Sequence, residues 1–336
     1  MAKKKKSPLS TLFWSLGSLI SSLLILAFGW VLYSRRYIDH SVAIGDLLDA
    51  ERKDYDSPRA GRLSYYVDKF GKGKPVLILH GVHLVAGVHE VSPLFYGLRN
   101  NRPVYVLDLP GFGHSERGPR AYCSELYQAA IQDFILNVIG GAADVIAYSL
   151  TCEFATEVAV KHPELISSLV MISPHGFGLT HQSKIQEKAE ASSFQNLAYA
   201  LMAVPLWSRA IFDIYASRPK IASFYEKRFM HSLPSNIIET AYASAHQPGA
   251  HLAPIYYLSG KLKNPNVRAQ VYDHVKVPVL VLFDQDPGTN FEMLSLTVRE
   301  KPNWKAVRIR PSRGLPHFDR PGETFFAMDD FWKSVK

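Results

Sequence analysis

Short apolar runs alternate with longer helix-like stretches from Arg62 to the end of the 336-residue chain. This alternation is typical of strand-helix-strand units in a mainly parallel sheet. Most of the apolar runs are continuous and β-branched, as expected of strands that are buried on both faces. The pattern predicts an α/β fold with a mostly parallel central sheet flanked by helices, whose strands lie near 63–70, 75–80, 104–110, 143–149, 169–174, 277–283 and 304–311.

One gap in this alternation is much longer than the others. About a hundred residues separate the predicted strand that ends at Pro174 from the one that begins at Val277, and a strand-helix crossover does not need so many. Apolar residues recur within the gap at helical spacing, at Phe194, Leu197, Leu201, Val204, Ile211 and Tyr215. We therefore predict a helical cap over 175–270, inserted into a core formed by 62–174 and 271–336. A cap at the carboxyl ends of parallel strands would also roof a site there.

A single apolar segment precedes the domain. Residues 11–33 contain no charged side chain, and a helix of that length crosses a hydrocarbon core of ~30 Å. Trp14 lies near one end and Trp30 and Tyr33 near the other, where aromatic rings suit the two membrane interfaces. We predict a transmembrane helix over 11–33, after a basic tail at 1–10 and before a juxtamembrane spacer at 34–61 with one short helix.

A cleaved signal peptide is the alternative for this segment. Ala27 and Gly29 form a small-x-small pair after an apolar stretch, and four lysines precede it. The apolar run continues beyond that pair through Leu32, which favours retention as a membrane anchor. Lysines before the segment are matched by Arg35 and Arg36 after it, so the distribution of cations leaves the side of the membrane that carries the domain undetermined.

The net charge of +8 does not indicate a nucleic-acid partner. Within the first 40 residues, six lysines and arginines stand against Asp39 alone, so most of the excess flanks the apolar segment. A nucleic-acid footprint would need a basic patch on the folded domain.

Cys123 and Cys152 are too few for a disulfide framework and lack metal-ligand spacing, so we interpret them as small buried residues.

The pentapeptide Ala147-Tyr148-Ser149-Leu150-Thr151 lies where a predicted strand ends and a predicted helix begins. This is the setting of the Gly-x-Ser-x-Gly turn that exposes a nucleophilic serine, in which small neighbours let the strand and helix pass closely. Ala147 is small, whereas Thr151 is β-branched where glycine is usual. Since a serine at a helix start is more commonly an N-cap, the interpretation of Ser149 as a nucleophile depends on its partners.

Those partners follow in the chain order Ser, acid, His, each after a strand. Asp286 follows the strand near 277–283, and His317 follows the last strand, from which a base could reach Ser149. Asp284 is the alternative acid, although a residue there can instead terminate the strand by binding backbone amides. The position after the strand near 169–174 offers His175 and no carboxylate, which favours Asp286.

Acyl chemistry at a serine also needs two backbone N–H groups aimed at the developing oxyanion. Leu150 follows the nucleophile at a helix start, where amides are free and the helix dipole favours negative charge. Val82 follows His80-Gly81 after the strand near 75–80, and we predict that these two amides form the oxyanion hole. His80 is expected to orient this loop. No carboxylate or cysteine completes a metal set around its histidines.

The chain resembles the α/β-hydrolase superfamily over roughly residues 62 to 336, at His80-Gly81, the stretch DLPGFGHS from Asp108 to Ser115, the Ser149 turn, Asp286-Pro287 and His317. The resemblance implies a capped hydrolase with a Ser149, His317 and Asp286 triad and no cofactor. Asp108 and Ser115 are interpreted as structural turn residues. The superfamily also contains acyltransferases and other activities, so the fold does not choose the substrate.

We expect a membrane-anchored hydrolase that cleaves an ester or related acyl compound through an acyl-enzyme on Ser149. The apolar cap near an anchor indicates a hydrophobic acyl group as the small-molecule substrate. Two alternatives remain at this point. One is acyl transfer on the same triad, and the other is a non-catalytic, hydrolase-like binding module.

Overall fold

The computed structural model describes the backbone of residues 8–178 and 185–335, and the side chains of 18–178 and 193–335. Eight strands form one sheet in the order β1-β2-β4-β3-β5-β6-β7-β8. The pairs formed by β2 are antiparallel, and all the other pairs are parallel. The predicted α/β fold is confirmed, with strands β1 (Glu51–Ser57), β2 (Gly61–Asp68), β3 (Val76–Leu79), β4 (Val104–Leu107), β5 (Ala143–Tyr148), β6 (Ile166–Ile172), β7 (Val279–Gln285) and β8 (Trp304–Arg313).

Strand β1 corrects the prediction for residues 34–61. We expected a spacer with one short helix, but Glu51–Ser57 pairs antiparallel with β2 along its whole length. Its sequence ERKDYDS is almost entirely polar and mostly exposed, so it carries none of the apolar signal of a buried strand. Charged side chains are usual on an edge strand, because they discourage pairing with other chains.

Helices cover both faces of the sheet, and each face buries its own apolar cluster. One cluster includes side chains of α3 and α4, and the other includes side chains of α2 and α13. The described helices are α1 (Pro8–Tyr37), α2 (Ser92–Leu98), α3 (Ser124–Phe134), α4 (Thr151–Lys161), α5 (Ile185–Met202), α6 (Ser208–Tyr215), α7 (Arg218–Glu226), α8 (Ile237–Ala245), α9 (Leu252–Leu258), α10 (Val267–Gln270), α11 (Leu294–Glu300), α12 (Pro316–Asp319) and α13 (Pro321–Ser334).

The part of the chain between β6 and β7 contains helices α5 to α10, as far as it is described, and we call it the helical insert. Its helix α7 packs against the loop that follows β3, where the Tyr225 hydroxyl contacts His89 and the Val85 carbonyl. Phe224, one residue earlier, lies 4.7 Å from the His83 ring between centroids. The insert therefore covers the loop that carries the predicted oxyanion donor Val82.

Helix α1 is a single apolar helix near the N-terminus. Its stretch Ser18–Tyr37 is long and apolar enough to cross a membrane, and only 6% of that window is buried inside the protein. A signal sequence has the same length and composition. The low burial distinguishes this helix from the buried core helix of a soluble domain, because its apolar side chains pack against little of the protein.

Candidate active site

Ser149 occupies the turn between β5 and α4. Its φ of 57° lies in the left-handed region, which is costly for a residue with a side chain and is found where surrounding structure holds it. Its N–H donates to the Ile172 carbonyl at 2.9 Å, which ties the turn to the end of β6. Within the described chain the Ser149 hydroxyl makes no hydrogen bond, so it is available for chemistry.

The turn accommodates Thr151 through a specific hydrogen bond. Thr151 is fully buried, and its hydroxyl donates to the His80 carbonyl at 2.7 Å. This bond joins the first residue of α4 to the end of β3, two elements that meet because β3 and β5 are parallel neighbours. The β-branched residue that departs from the usual glycine therefore holds the serine turn against the adjacent loop.

The two predicted oxyanion donors lie at the carboxyl ends of these neighbouring strands. Parallel pairing places Leu79 beside Ala147, so the Val82 loop and the Leu150 turn leave the sheet at the same edge. The N–H groups of Leu150 and Val82 make no hydrogen bond to any described residue. Two free amides at one edge are what an oxyanion needs.

His80 holds the loop after β3 in place. The Leu109 N–H donates to its Nε2 at 3.1 Å, so the proton of the neutral ring is on Nδ1, which donates to the Gly81 carbonyl at 2.6 Å. Burial lowers the pKa of His80 to about 4, which keeps the ring neutral near pH 7. His80 thus links the loop after β3 to the DLPGFGHS loop after β4.

The DLPGFGHS loop is built from internal turn contacts. The Ser115 hydroxyl donates to the Asp108 carbonyl at 2.5 Å and accepts from the Ser64 N–H at 2.8 Å. The Asp108 carboxylate accepts from the His114 N–H at 2.9 Å. These contacts belong to turn residues, as we expected for Asp108 and Ser115.

A buried polar network lies beneath the same edge, and the sequence analysis did not identify it. His83 Nε2 and Glu90 Oε1 are 2.6 Å apart, and both side chains are almost fully buried. Burial raises the pKa of Glu90, but His83, His89 and His80 together outweigh burial and lower that pKa to about 2. Glu90 Oε2 has no hydrogen-bond partner among the described residues. The sequence feature that could have indicated this network is Glu90, which directly follows His89 and lies seven residues after His83.

His317 makes a different contact from the one predicted. Its Nε2 bonds to the Glu90 carbonyl at 2.6 Å, and its buried Nδ1 has no partner among the described residues. Burial lowers the pKa of His317 to about 4. Its ring packs edge-on against Tyr148 at 6.1 Å between centroids. The expected hydrogen bonds from His317 to Ser149 and to Asp286 are both absent from this arrangement.

The two candidate acids have different surroundings. Asp284 forms an ion pair with Arg308 at 2.7 Å and accepts from the Ser312 N–H at 3.0 Å. It lies within β7 and binds β8, so it does not terminate its strand through local amides as considered for it. Asp286 accepts from the Gly288 N–H at 2.6 Å, and burial raises its pKa. A side chain at Gly314 would collide with the Asp286 carboxylate, so Asp286 faces the loop after β8 three residues before His317.

A second imidazole lies beside Ser149. His175 follows β6 with its ring close to the Ser149 backbone, and its buried Nδ1 has no hydrogen-bond partner among the described residues. Burial, with contributions from Lys263, Arg228 and His83, lowers its pKa to about 4. The sequence analysis considered this position only as a place for a carboxylate, so a histidine there was not assigned a role.

No metal centre is indicated by this arrangement. Among the described residues, no group of three or more His, Cys, Asp or Glu side chains could hold a metal ion. The histidines around the loop after β3 have other partners, as His83 binds Glu90 and His89 binds the Tyr225 hydroxyl at 2.7 Å. The chemistry available at this edge is that of a serine hydroxyl, neutral imidazoles and free amides.

The sheet order, the serine in a left-handed strand-to-helix turn and the helical insert before β7 together define the α/β-hydrolase class of enzymes. The chain belongs to the alpha/beta hydrolase family, whose sequence model matches residues 76–328. The predicted fold and enzyme class are therefore confirmed.

Individual relatives resemble parts of this chain. A pimeloyl-[acyl-carrier protein] methyl ester esterase from Shewanella woodyi is 34% identical over 110 residues, which are 33% of this chain and 40% of that protein. The 1-acylglycerol-3-phosphate O-acyltransferase ABHD5 of Rattus norvegicus is 24% identical over 274 residues, 74% of each chain. The match spans about two fifths of the length of the esterases that resemble this chain.

Solved structures extend the likeness in fold. A crystal structure of a membrane phospholipase A, a bacterial virulence factor, has a TM-score of 0.66 at 18% identity, over 97% of this chain and 98% of that one. The CarC serine hydrolase of carbazole degradation has a TM-score of 0.64 at 17% identity, over 84% and 99%. At such identities the likeness concerns the fold alone.

Proposed function

We propose that this protein hydrolyses an ester or a related acyl compound through an acyl-enzyme on Ser149. The observation that supports the proposal is the left-handed turn at Ser149, whose hydroxyl has no described partner and which leaves the same edge of the sheet as the loop that carries Val82. Ser149 Oγ attacks the acyl carbon and gives its proton to an imidazole. The two amides bind the oxyanion, and the proton then passes to the departing alcohol as its C–O bond breaks. Water repeats the sequence and releases the acid.

Two histidines are candidates for the imidazole that accepts the Ser149 proton. His317 with Asp286 is the relay predicted from sequence, and it requires the His317 ring to exchange the Glu90 carbonyl for Ser149. His175 is the second candidate, because its ring lies near the Ser149 backbone and its buried Nδ1 has no partner among the described residues. Both rings are neutral near pH 7 and can accept a proton.

A hydrophobic acyl group is the substrate that we propose. Phe224 and Tyr257 of the helical insert pack around the His83 ring, tilted and edge-on, at 4.7 and 6.4 Å between centroids. The groups that cover the loop after β3 are therefore aromatic. An apolar helix precedes the domain and supplies proximity to lipid if it spans a membrane. Esterases among the relatives support the bond type.

Acyl transfer is the alternative on the same residues. The relative that matches the largest share of this chain among those cited above is named as an acyltransferase, at 24% identity. Transfer and hydrolysis share the acyl-enzyme and differ only in whether an alcohol or water accepts the acyl group. The yield of ester in the presence of a glycerol-based alcohol distinguishes them.

Labelling of the full chain in detergent micelles with a fluorophosphonate tests the nucleophile. We expect labelling that Ser149→Ala abolishes and that Ser167→Ala, a change of a half-buried serine on β6, leaves intact. A folded wild-type protein that is not labelled would instead support the non-catalytic binding module.

The same labelling assay assigns the base. His317→Gln and His175→Gln each retain a side-chain amide but remove the imidazole, and loss of a general base lowers the acylation rate by roughly 10²- to 10⁴-fold. His231→Gln, at an exposed position, is the matched control. Recovery of the rate in His175→Gly or His317→Gly on addition of imidazole identifies the proton acceptor, because a purely structural role is not restored that way.

A further inference from the structure

The last turns of helix α1 are hydrogen-bonded to the helical insert. Trp30 Nε1 donates to the Ala210 carbonyl at 2.7 Å, and the Ser34 hydroxyl donates to Asp213 at 2.6 Å. Arg35 donates to the Leu206 carbonyl at 2.9 Å. These bonds attach the C-terminal end of α1 to α6 and to the residues just before α6. The helical insert therefore lies next to the end of the stretch that is long enough to cross a membrane.

Beside this contact the insert exposes a set of large apolar side chains. They are between 36% and 71% exposed, and we call them the apolar face: Phe194, Leu197, Leu201, Leu206, Trp207 and Tyr215. The first three are spaced by three and four residues on α5, so they lie on one side of that helix. Leu206 and Trp207 continue this face up to the point where Arg35 binds.

The apolar face adjoins helix α1 at Leu206, whose carbonyl accepts a hydrogen bond from Arg35. Residues Leu19 to Leu32 of that helix include large apolar side chains that are at least half exposed, as expected of a helix surrounded by lipid. If α1 crosses a bilayer, its boundary falls near Trp30 and Arg35, where a tryptophan and an arginine suit the interface. The atoms of the insert that are bonded to those two residues must then lie at the same membrane surface.

We infer that the apolar face of the insert rests on the bilayer that α1 crosses. A contiguous exposed apolar surface marks an interaction site in a soluble domain, and the bonds between α1 and α6 place lipid next to this one. Trp207, Tyr215 and Phe194 have the aromatic character of interfacial anchors, and Arg35 and Arg36 can meet anionic headgroups. The domain would thereby be held with its insert toward the lipid. This inference does not depend on which residues carry out the chemistry.

The test uses the full chain in vesicles of phosphatidylcholine and phosphatidylglycerol. An environment-sensitive fluorophore is attached at Leu197→Cys in a Cys123→Ser background, since Cys152 is fully buried. The matched control is Phe326→Cys on α13, which is 75% exposed and apolar. A third label at Leu24→Cys reports on α1 itself. Lipids that carry a spin label quench only fluorophores in contact with the bilayer.

We expect a blue-shifted emission and several-fold stronger lipid quenching at 197 than at 326, and a marked loss of that quenching in Leu201→Asp. Quenching at 24 but not at 197 would overturn the inference while leaving the anchor in place. Absence of quenching at both 24 and 197 would contradict both the membrane anchor and the contact between the apolar face and the bilayer. A shift at 197 that grows with protein concentration and resists lipid quenching would show that a second copy covers the face instead.

Discussion

Thr151 shows how one residue changes the turn around the candidate nucleophile. Glycine is usual at this position because strand and helix pass closely, yet Thr151 is fully buried there and its hydroxyl binds the His80 carbonyl. His80 itself orients the loop that carries Val82. The departure from the usual sequence therefore connects the serine turn to the loop after β3.

Replacement of Thr151 by valine should destabilise the fold by about 1 to 3 kcal/mol, because it leaves the buried His80 carbonyl without its donor while preserving the shape of the side chain. Thr151→Ser keeps the hydroxyl and should retain more of the stability than Thr151→Val. Denaturant unfolding of the two variants measures the difference. Equal losses would mean that packing of the methyl group, rather than the hydrogen bond, determines the effect.

At the scale of elements, a buried carboxylate fixes helix α1 to the insert. Asp213 on α6 is 2% exposed and accepts from the Ser34 hydroxyl at 2.6 Å, and His40 Nε2 lies 3.0 Å away. Two segments that are distant in sequence meet at this one side chain. It acts together with the Trp30 and Arg35 contacts that also join α1 to the insert.

Asp213→Ala should release this junction. Removing the carboxylate leaves the buried Ser34 hydroxyl without an acceptor, at a cost of about 1 to 3 kcal/mol, and local opening should follow. We expect faster protease cleavage of the segment between α1 and β1 in micelles. Asp213→Asn, which retains an acceptor oxygen for Ser34, should be cleaved more slowly than Asp213→Ala. Unchanged cleavage in Asp213→Ala would show that the other contacts of α1 hold the helix alone.

At the scale of the whole molecule, buried ionisable groups make stability depend on pH in two opposing ways. Burial lowers the pKa of five histidines from 6.5 to about 4, namely His80, His89, His175, His251 and His317. Burial raises the pKa of Asp108 to about 7 and that of Glu153 to about 8. The folded protein thus binds fewer protons than the unfolded chain at the histidines, and more at the two carboxyl groups.

Stability should therefore be greatest at about pH 7. As pH falls from 6.5 toward 4, the unfolded chain gains protons at the five histidines that the folded state does not take up, so stability is lost. As pH rises toward 8, the two carboxyl groups ionise in a buried setting, and stability is lost again. Denaturant unfolding across this range measures the profile.

The variant Glu153→Gln tests the alkaline side of that profile. Glu153 has a folded pKa above its ordinary 4.5. Its ionisation in the folded state therefore lowers the free energy of unfolding as pH rises, and this loss is complete above pH 8. The neutral amide avoids that cost, and the loss of stability from pH 6 to 9 should become smaller. If the loss of stability from pH 6 to 9 is the same in Glu153→Gln as in the wild type, other groups cause it.

The sequence predicts a feature well when that feature depends on neighbouring residues, and poorly when it depends on contacts between distant ones. The parallel strands were identified because they are continuously apolar, whereas β1 was missed because an exposed edge strand needs no apolar residues. Ser149 was placed at the strand-to-helix turn by local order alone. His83, Glu90 and His175 were not assigned, since their significance comes from contacts with residues that lie elsewhere in the chain or across a loop.

The amino-acid sequence by itself determined the α/β fold, the family, the apolar N-terminal helix and the position of Ser149, because periodicity, strand order and short motifs are properties of neighbouring residues. Only the tertiary structure decided what each imidazole contacts. Chain order placed His317 after the last strand, but its ring bonds to the Glu90 carbonyl, and a second ring, that of His175, lies near the Ser149 backbone. Hydrogen bonds are directional and short, so a loop position that is correct to within a few residues does not fix which partner a side chain reaches.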